Sequence, residues 1–350
     1  MELSETLEVS VSPFMFKKYK MEIENVKKSV NMDEVDELFE KKVLNKSHLQ
    51  VMEYFLNFRY LTRHHIELLA QNKLIDDNFK GITVKSILKA LVEKGVLLRF
   101  YFHGEDNIKL PVEYLKSVPR VILTRSGKTE SISPEEDGGN EEQEDDVIRD
   151  VSSKRTIFMY TISYGAIQYL IKMTAPTQYE KLKKDAAKLD EASDILMNLS
   201  LNQFIINTMS IMVNKSNFVT LHINGENSDN GSVIINSNKT NLSSALIRRG
   251  EEEFAIFSVR TEPDWEAKTL ARINEFLKAP RKGKGTNQAV TFIFVCENSM
   301  HYISLFNIIN NSKLNINCLY TSDSKQMGYM GKLLTYLSKT PEGIKMDFIN

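Results

Sequence analysis

Cysteine is nearly absent from the sequence: the 350-residue chain has two, Cys296 and Cys318. Both sit inside apolar runs, "FIFVCE" and "INCLYT", without a Cys or His partner at zinc-ligand spacing. The reading is a pair of buried free thiols in a reducing cytoplasm, not a disulfide framework. No apolar run reaches membrane-span length, and the first residues, "MELSETLEVSVSPFMFKK", lack a basic start followed by an apolar core. The expectation is therefore a cytoplasmic protein with no membrane partner. Also missing are HExxH, a nucleophile elbow, a dinucleotide fingerprint, a kinase loop and a His–hydrophobic–His strand. His64 and His65 are adjacent on an expected helix, so they point in different directions and cannot pair on a metal. "LKAPRKGKGTNQ" lacks P-loop spacing, which excludes a nucleotide site of that type.

Net charge is also small, at −1, but unevenly spread. Residues 130–150, "ESISPEEDGGNEEQEDDVIRD", hold ten acids and one base, leaving 36 acidic and 44 basic residues elsewhere. The rest of the chain is thus basic by about 8 charges, which suits a polyanionic partner.

Residues 1–45 read as an N-terminal arm with one amphipathic helix, "MDEVDELFEKKVL". Residues 46–175 carry the clearest local signals. Leu49, Met52 and Leu56 share a helical face in "SHLQVMEYFLNFRYL". Thr62 can cap "RHHIELLAQ", and Thr83 can cap "VKSILKALVEKG". In the latter, Val84, Ile87, Leu88, Leu91 and Val92 form one apolar face, and Gly95 is placed to end the helix in the left-handed conformation. "VLLRFYF" then reads as a strand, and "RTIFMYTIS" (155–163) as its partner.

Three helices followed by two strands is the order of a winged helix-turn-helix. Between the strands lies an acidic insertion, about 103–154, expected to be a disordered loop. Within it "PRVILTRSGK" offers a further strand and a basic turn, and "YGAIQYLIKM" closes the domain. The outer face of the third helix presents Lys85, Ser86, Lys89 and Ala90. Such a face suits a DNA major groove, with Lys154 and Arg155 as basic wing candidates, although the same pattern also describes a plain solvated face.

Residues 176–215 read as a helical connector starting at Pro176, with Leu182, Ala186, Leu189, Ile195, Leu196 and Leu199 as a loose stripe. It either packs on the next domain or supports a homodimer. Residues 216–350 alternate strands and helices. "NFVTLHI" and "GSVIINS" flank a turn-rich "NGENSDN", a hairpin signal. "FAIFSVR" is a strand and "DWEAKTLARINEFLKA" a helix with Leu270, Ile273 and Leu277 on one side. "AVTFIFVCE" is a central buried strand, followed by helix "SMHYISLFNIIN" and strand "INCLYTS". The fold class expected is mixed α+β and α/β.

This order, with "EYFLNFRYLTRHHIELLA" and "FAIFSVRTEPDWEAKTLARINEFLKA" as its local signatures, resembles the replication-relaxation proteins of plasmids and integrative elements of Gram-positive bacteria over roughly residues 47–325. The resemblance implies a winged helix joined to a restriction-endonuclease-like (PD-(D/E)XK) domain. Such nucleases hold a divalent metal on two carboxylates, with a lysine nearby. Aligned on that pattern, Ser258 and Arg260 stand at the central-strand positions, and Ser243 and Ser244 in "NLSSALI" replace the preceding acid. A serine is a poor ligand for a hard cation, so the implied domain is catalytically degenerate, with no cofactor.

Glu251, Glu252 and Glu253 read as the solvated approach to the strand, and Asp264, Glu266 and Lys268 as a site displaced to the helix; Glu253, Asp264, Glu266 and Lys268 are the remaining catalytic candidates. The rest is a basic surface: Arg248, Arg249 and Arg260 near the strand, Lys268 and Arg272 on the helix, and Lys278, Arg281, Lys282 and Lys284 in or before the loop. These are candidate phosphate-backbone contacts. The leading expectation is a non-enzymatic DNA-binding protein of a plasmid, phage or integrative element. It would act in replication initiation, conjugative transfer or their control, alongside replication or transfer proteins. The alternatives are a Mg²⁺-dependent nicking or cleaving enzyme of the same elements, and an adaptor whose acidic loop mimics DNA.

Overall fold

The computed structural model describes residues 12, 14, 20–24, 30–71, 83–103, 120–123, 129–132, 158–174, 191–214, 220–223, 232–236, 244–249, 252–278, 290–323, 326, 334–340 and 343–349. The fold mixes helices and strands and divides into two compact units. One is Lys18–Ile195; the other joins Met1–Lys17 to Leu196–Asn350. The segment read as an N-terminal arm is therefore shared between the units.

In the Lys18–Ile195 unit, β1 (Lys20–Glu24) precedes α1 (Met32–Glu40) and α2 (Lys46–Asn57). Both helices start at an asparagine whose side chain accepts from backbone N–H groups while the third helical residue bonds back, Glu34 to Asn31 and His48 to Asn45. Next come β2 (Leu61–Thr62), α3 (Arg63–Gln71), α4 (Val84–Glu93) and β3 (Leu97–His103). α4 starts at Thr83, buries Val84, Ile87, Leu88, Leu91 and Val92, and stops where Gly95 turns to φ 75°. β4 (Arg120–Leu123) and β5 (Thr129–Ile132) form an antiparallel pair. This corrects the expectation of a structureless insertion, since β5 takes in the first residues of the acidic run. The β-branched Val121, Ile122, Thr129 and Ile132 favour that pairing. The remainder of the acidic run lies outside the described residues.

β6 (Met159–Ile162) and α5 (Tyr164–Thr174) complete the unit. The sheet order is β1–β3–β6–β2, with β6 antiparallel to both β3 and β2. Tyr60 meets Phe100 edge-on at 5.9 Å within the core. α1 packs on α5: Phe39 stacks on Tyr169 at 5.2 Å and Lys172 Nζ lies 2.9 Å from Asp36 Oδ2.

α6 (Ala192–Asn214) leads the second unit. Pro176, Leu182, Ala186 and Leu189 lie outside the described residues. Within α6, Leu196, Leu199, Ser200, Asn202, Gln203 and Asn207 are all buried, so the helix is enclosed around most of its circumference between residues 195 and 207. One eight-stranded sheet follows, ordered β14–β13–β12–β11–β10–β9–β8–β7. Its strands are β7 (Thr220–Ile223), β8 (Ser232–Asn236), β9 (Ser244–Arg249), β10 (Glu252–Ser258), β11 (Val290–Cys296), β12 (Asn317–Ser322), β13 (Leu334–Thr340) and β14 (Gly343–Ile349). β7 and β8 pair in parallel, which corrects the expected hairpin. A turn-rich linker does not fix strand direction when neither flank has a one-sided apolar pattern.

β8, β9 and β10 are antiparallel in succession, and β10, β11 and β12 run parallel. The parallel connections contain α7 (Trp265–Lys278) and α8 (Ser299–Asn311). In register, Phe257, Phe294 and Tyr320 point to one face, where they stack and pack with Ile273, Tyr302, Leu305 and Ile309. Ser258, Val295 and Thr321, one residue on, occupy the opposite face. Cys296 and Cys318 are free and buried.

Candidate functional sites

The outer face of α4 is the first candidate. Lys85, Ser86 and Lys89 are exposed because their five apolar neighbours take the core. Thr83 Oγ1 accepts from Ser86 N at 3.1 Å, and Ser86 Oγ donates to the Thr83 carbonyl at 2.8 Å. The cap thus fixes where the first lysine emerges, and contributes about 1 kcal/mol. Beside the helix, Arg99 lies 4.7 Å over the Phe158 ring and Tyr101 meets the same ring edge-on at 5.9 Å. Lys154 and Arg155 lie outside the described residues.

The second region is β9–β10. Arg248 stands opposite Glu253, and Arg249 opposite Glu252, in the antiparallel register. Ser244 faces Phe257 in the same ladder; Ser243 falls outside the described residues. Asp264, Glu266 and Lys268 are exposed at the start of α7, beyond the opposite end of β10 from Glu253. Lys268 Nζ lies 3.3 Å from Glu262 Oε2. The four catalytic candidates are therefore not brought together. Among the described residues, no three His, Cys, Asp or Glu side chains gather as a metal set. Lys278 is exposed at the end of α7, and Arg281, Lys282 and Lys284 lie outside the described residues. Arg272 is half-buried, donating to Met197 Sδ at 3.5 Å.

Arg260 is the clearest correction. Read as part of a basic surface, it is 1% exposed and paired with Asp323, and both side chains are fully enclosed. Arg260 lies 3.2 Å from each Asp323 oxygen and donates to the Val259 carbonyl at 2.7 Å. A cation enclosed at the end of a strand needs a carboxylate at hydrogen-bonding distance, because isolated burial of the charge is too costly.

Around this pair, the ends of three parallel strands form a buried polar site. Ser200 Oγ donates to Asp323 Oδ1 at 2.6 Å, and Ser12 Oγ to Oδ2 at 2.5 Å. After β11, Glu297 is fully buried and accepts from Thr261 N at 3.3 Å and Thr261 Oγ1 at 2.7 Å. His301, in the first turn of α8, accepts from Glu297 N through Nδ1 at 3.3 Å. Its ring meets Trp265 edge-on at 4.5 Å. Asn207 Nδ2 donates to the Gln326 carbonyl at 2.8 Å. The Ser258 hydroxyl is buried and has no hydrogen-bond partner among the described residues.

Burial pushes the Asp323 carboxyl above the usual carboxylate range, against the pull of Arg260 and of the Ser12, Ser200 and Arg260 hydrogen bonds. Burial also raises the Cys296 thiol well above its ordinary value, so it is a poor nucleophile. Burial, helped by the Arg260 charge, pushes His301 down to about 3. Sequence spacing did not expose Asp323, Glu297, His301, Ser12 or Ser200. The only hint was several short polar residues directly after apolar strands.

The His301 shift has a measurable consequence. The folded state keeps the ring neutral while the unfolded chain protonates it near the ordinary value of about 6.5. Stability is therefore fully present above pH 6.5 and is lost as pH falls towards 3. At pH 5 the expected loss is about 2 kcal/mol from this residue. Urea titrations across pH 7 to 4.5 should show that slope, and His301→Asn should flatten it. An unchanged slope in the variant would assign the pH dependence elsewhere.

In comparison with known proteins, no family model, no curated protein and no solved structure matches this chain.

Proposed function

We propose that the chain is a double-stranded DNA-binding protein that places α4 in a major groove. The observation that carries the reading is the exposed Lys85, Ser86 and Lys89 face of a helix whose other face is fully buried. Its setting supports it. The succession α2, β2, α3, α4, β3, β6, with β6 between β2 and β3, supports a winged helix-turn-helix reading. Lysines reach phosphates or guanine edges, and the small Ser86 permits close approach.

The second unit supports a degenerate nuclease-like reading. The antiparallel β8–β9–β10 followed by α7 and a parallel β11 has the order of a restriction-endonuclease-like core. On that likeness Ser258 and Arg260 would take the places of the metal ligand and its neighbour, and Arg260 is committed to Asp323. This unit then adds backbone or dimer contacts instead of cleavage. The role is in replication, transfer or control of a mobile element, with replication or transfer proteins as partners.

Lys85→Ala with Lys89→Ala tests it in a gel-shift or anisotropy titration on DNA selected from a fragment library. Both sites are exposed, so folding should change by less than about 0.5 kcal/mol each. Affinity should fall by about a hundredfold. The slope of log affinity against log salt should shrink by about 0.9 for each phosphate that the variant no longer neutralises. Unaltered affinity and slope would remove α4 from the interface.

A further inference from the structure

We propose that the second unit binds a free nucleobase or nucleoside at the ends of β10, β11 and β12, on the sheet face away from the aromatic stack. The three strands run parallel, and ligands of parallel sheets sit outside the carboxyl ends of the strands. Ser258 and Thr321 stand in register on either side of Val295, two strands apart, and Arg260 and Asp323 meet two residues further on. α6 closes over them. Ser200 Oγ holds Asp323, and Asn207, two turns later, donates to the Gln326 carbonyl at 2.8 Å and accepts from Gln203 Nε2 at 3.0 Å. Each of these side chains is at most 3% exposed. Several of their polar atoms are left over. Among the described residues, Ser258 Oγ, Thr321 Oγ1, Arg260 Nε, Gln203 Oε1 and both amide atoms of Gln326 are enclosed without a hydrogen-bond partner. Enclosing such groups unpaired costs stability, and a ligand that completes their bonds recovers it.

The leftover groups define the ligand. Arg260 has its terminal nitrogens on Asp323 and the Val259 carbonyl, so its charge is spent, and the enclosed Glu297 opposes an anion. The ligand is therefore uncharged. Gln326 offers a donor and an acceptor in one plane, which matches the adjacent acceptor and donor of a base edge, as when glutamine pairs with adenine. The Ser258 and Thr321 hydroxyls donate or accept, and Arg260 Nε donates. Their strands are roughly 9.5 Å apart, so a flat ring over the apolar Val295 is within reach of both hydroxyls. All of these groups are enclosed. The ligand is thus a free molecule, not a base carried on a strand, and it enters as Ser200 and Asn207 release the strand ends. None of this depends on the DNA reading.

The test is equilibrium dialysis of the full-length protein against radiolabelled adenosine, guanosine, cytidine and uridine in turn. At least one should bind with a Kd below about 1 mM. Ser258→Ala and Thr321→Val remove the leftover hydroxyls with little change of volume. Each should weaken binding at least about tenfold. Without nucleoside, each variant should melt at least as high as wild type, because it loses an enclosed polar group that the protein does not satisfy. A lower melting temperature for either variant would mean that ordered water alone satisfies the hydroxyl, and it overturns the proposal. Absent binding of all four nucleosides overturns it, as does equal binding by wild type and both variants. A single-stranded oligonucleotide should not compete with the bound nucleoside; competition overturns the enclosed site.

Discussion

Arg260→Met is expected to destabilise the second unit by about 3–5 kcal/mol, the cost of leaving a buried carboxylate without its counter-ion. Asp323 would keep the Ser12 and Ser200 hydroxyls but lose its only charged partner among the described residues. The carboxyl, already raised by burial, would take up a proton more readily still. That gives the prediction a sign in pH. A raised carboxyl makes the folded state the stronger proton binder, so the penalty should be greatest near neutrality and shrink as pH falls. Wild type and variant must be compared at each pH, because His301 weakens both on the acid side.

Adding Asp323→Asn should recover a large part of the loss, since the amide oxygen still accepts from serine while the charge is gone. Trp265, the one tryptophan, lies in this unit and reports its unfolding in urea by fluorescence. A loss below about 1 kcal/mol would place the pair in a more solvated setting than its enclosure implies.

Gly165→Ala is expected to cost about 3 kcal/mol or more in the other unit, against the usual rule. Alanine in place of glycine normally favours a helix by about 1 kcal/mol. Here a β-carbon on Gly165 would sit 2.2 Å from the Val30 carbonyl oxygen and 2.6 Å from Asn31 backbone atoms. No side-chain rotation relieves a collision with backbone, so the chain entering α1 must move. Asn31 is the cap of α1, and α1 holds α5 through Phe39 on Tyr169 and Asp36 on Lys172. Hydrogen exchange should show α1 and α5 losing protection together, while the second unit is unchanged. A neutral or stabilising result would mean that the close approach of α1 and α5 is not kept in solution.

Local signals in the sequence carried the elements that local physics decides. Thr83, the spacing of Val84 to Val92, and Gly95 were enough to draw α4 and its exposed lysines, because caps, periodicity and a positive φ act within a dozen residues. Strands β3 and β6 were legible from their β-branched and aromatic content, despite the long insertion between them. Pairings decided over distance were not. "KMEIE" is too short to announce that β1 would join β3, and the turn-rich run before β8 suggested the wrong strand direction. Arg260 looked like surface because it is followed by a polar turn holding Glu262 and Asp264, while its buried partner is 63 residues on. Glu297 and His301 were hidden likewise, each looking like an ordinary polar residue beside an apolar run. The exposed cations were thus legible, and the enclosed polar site was not.

The bond between Ser12 and Asp323 also sets a timetable for synthesis. At roughly 5–20 residues per second, a ribosome needs about 15–60 s to travel from one to the other. Through that interval the earliest stretch waits while Lys18–Ile195 can already close on itself. The last-made unit alone must recruit the first-made residues, so a nascent chain halted before residue 323 would hold one finished domain and a loose leading end.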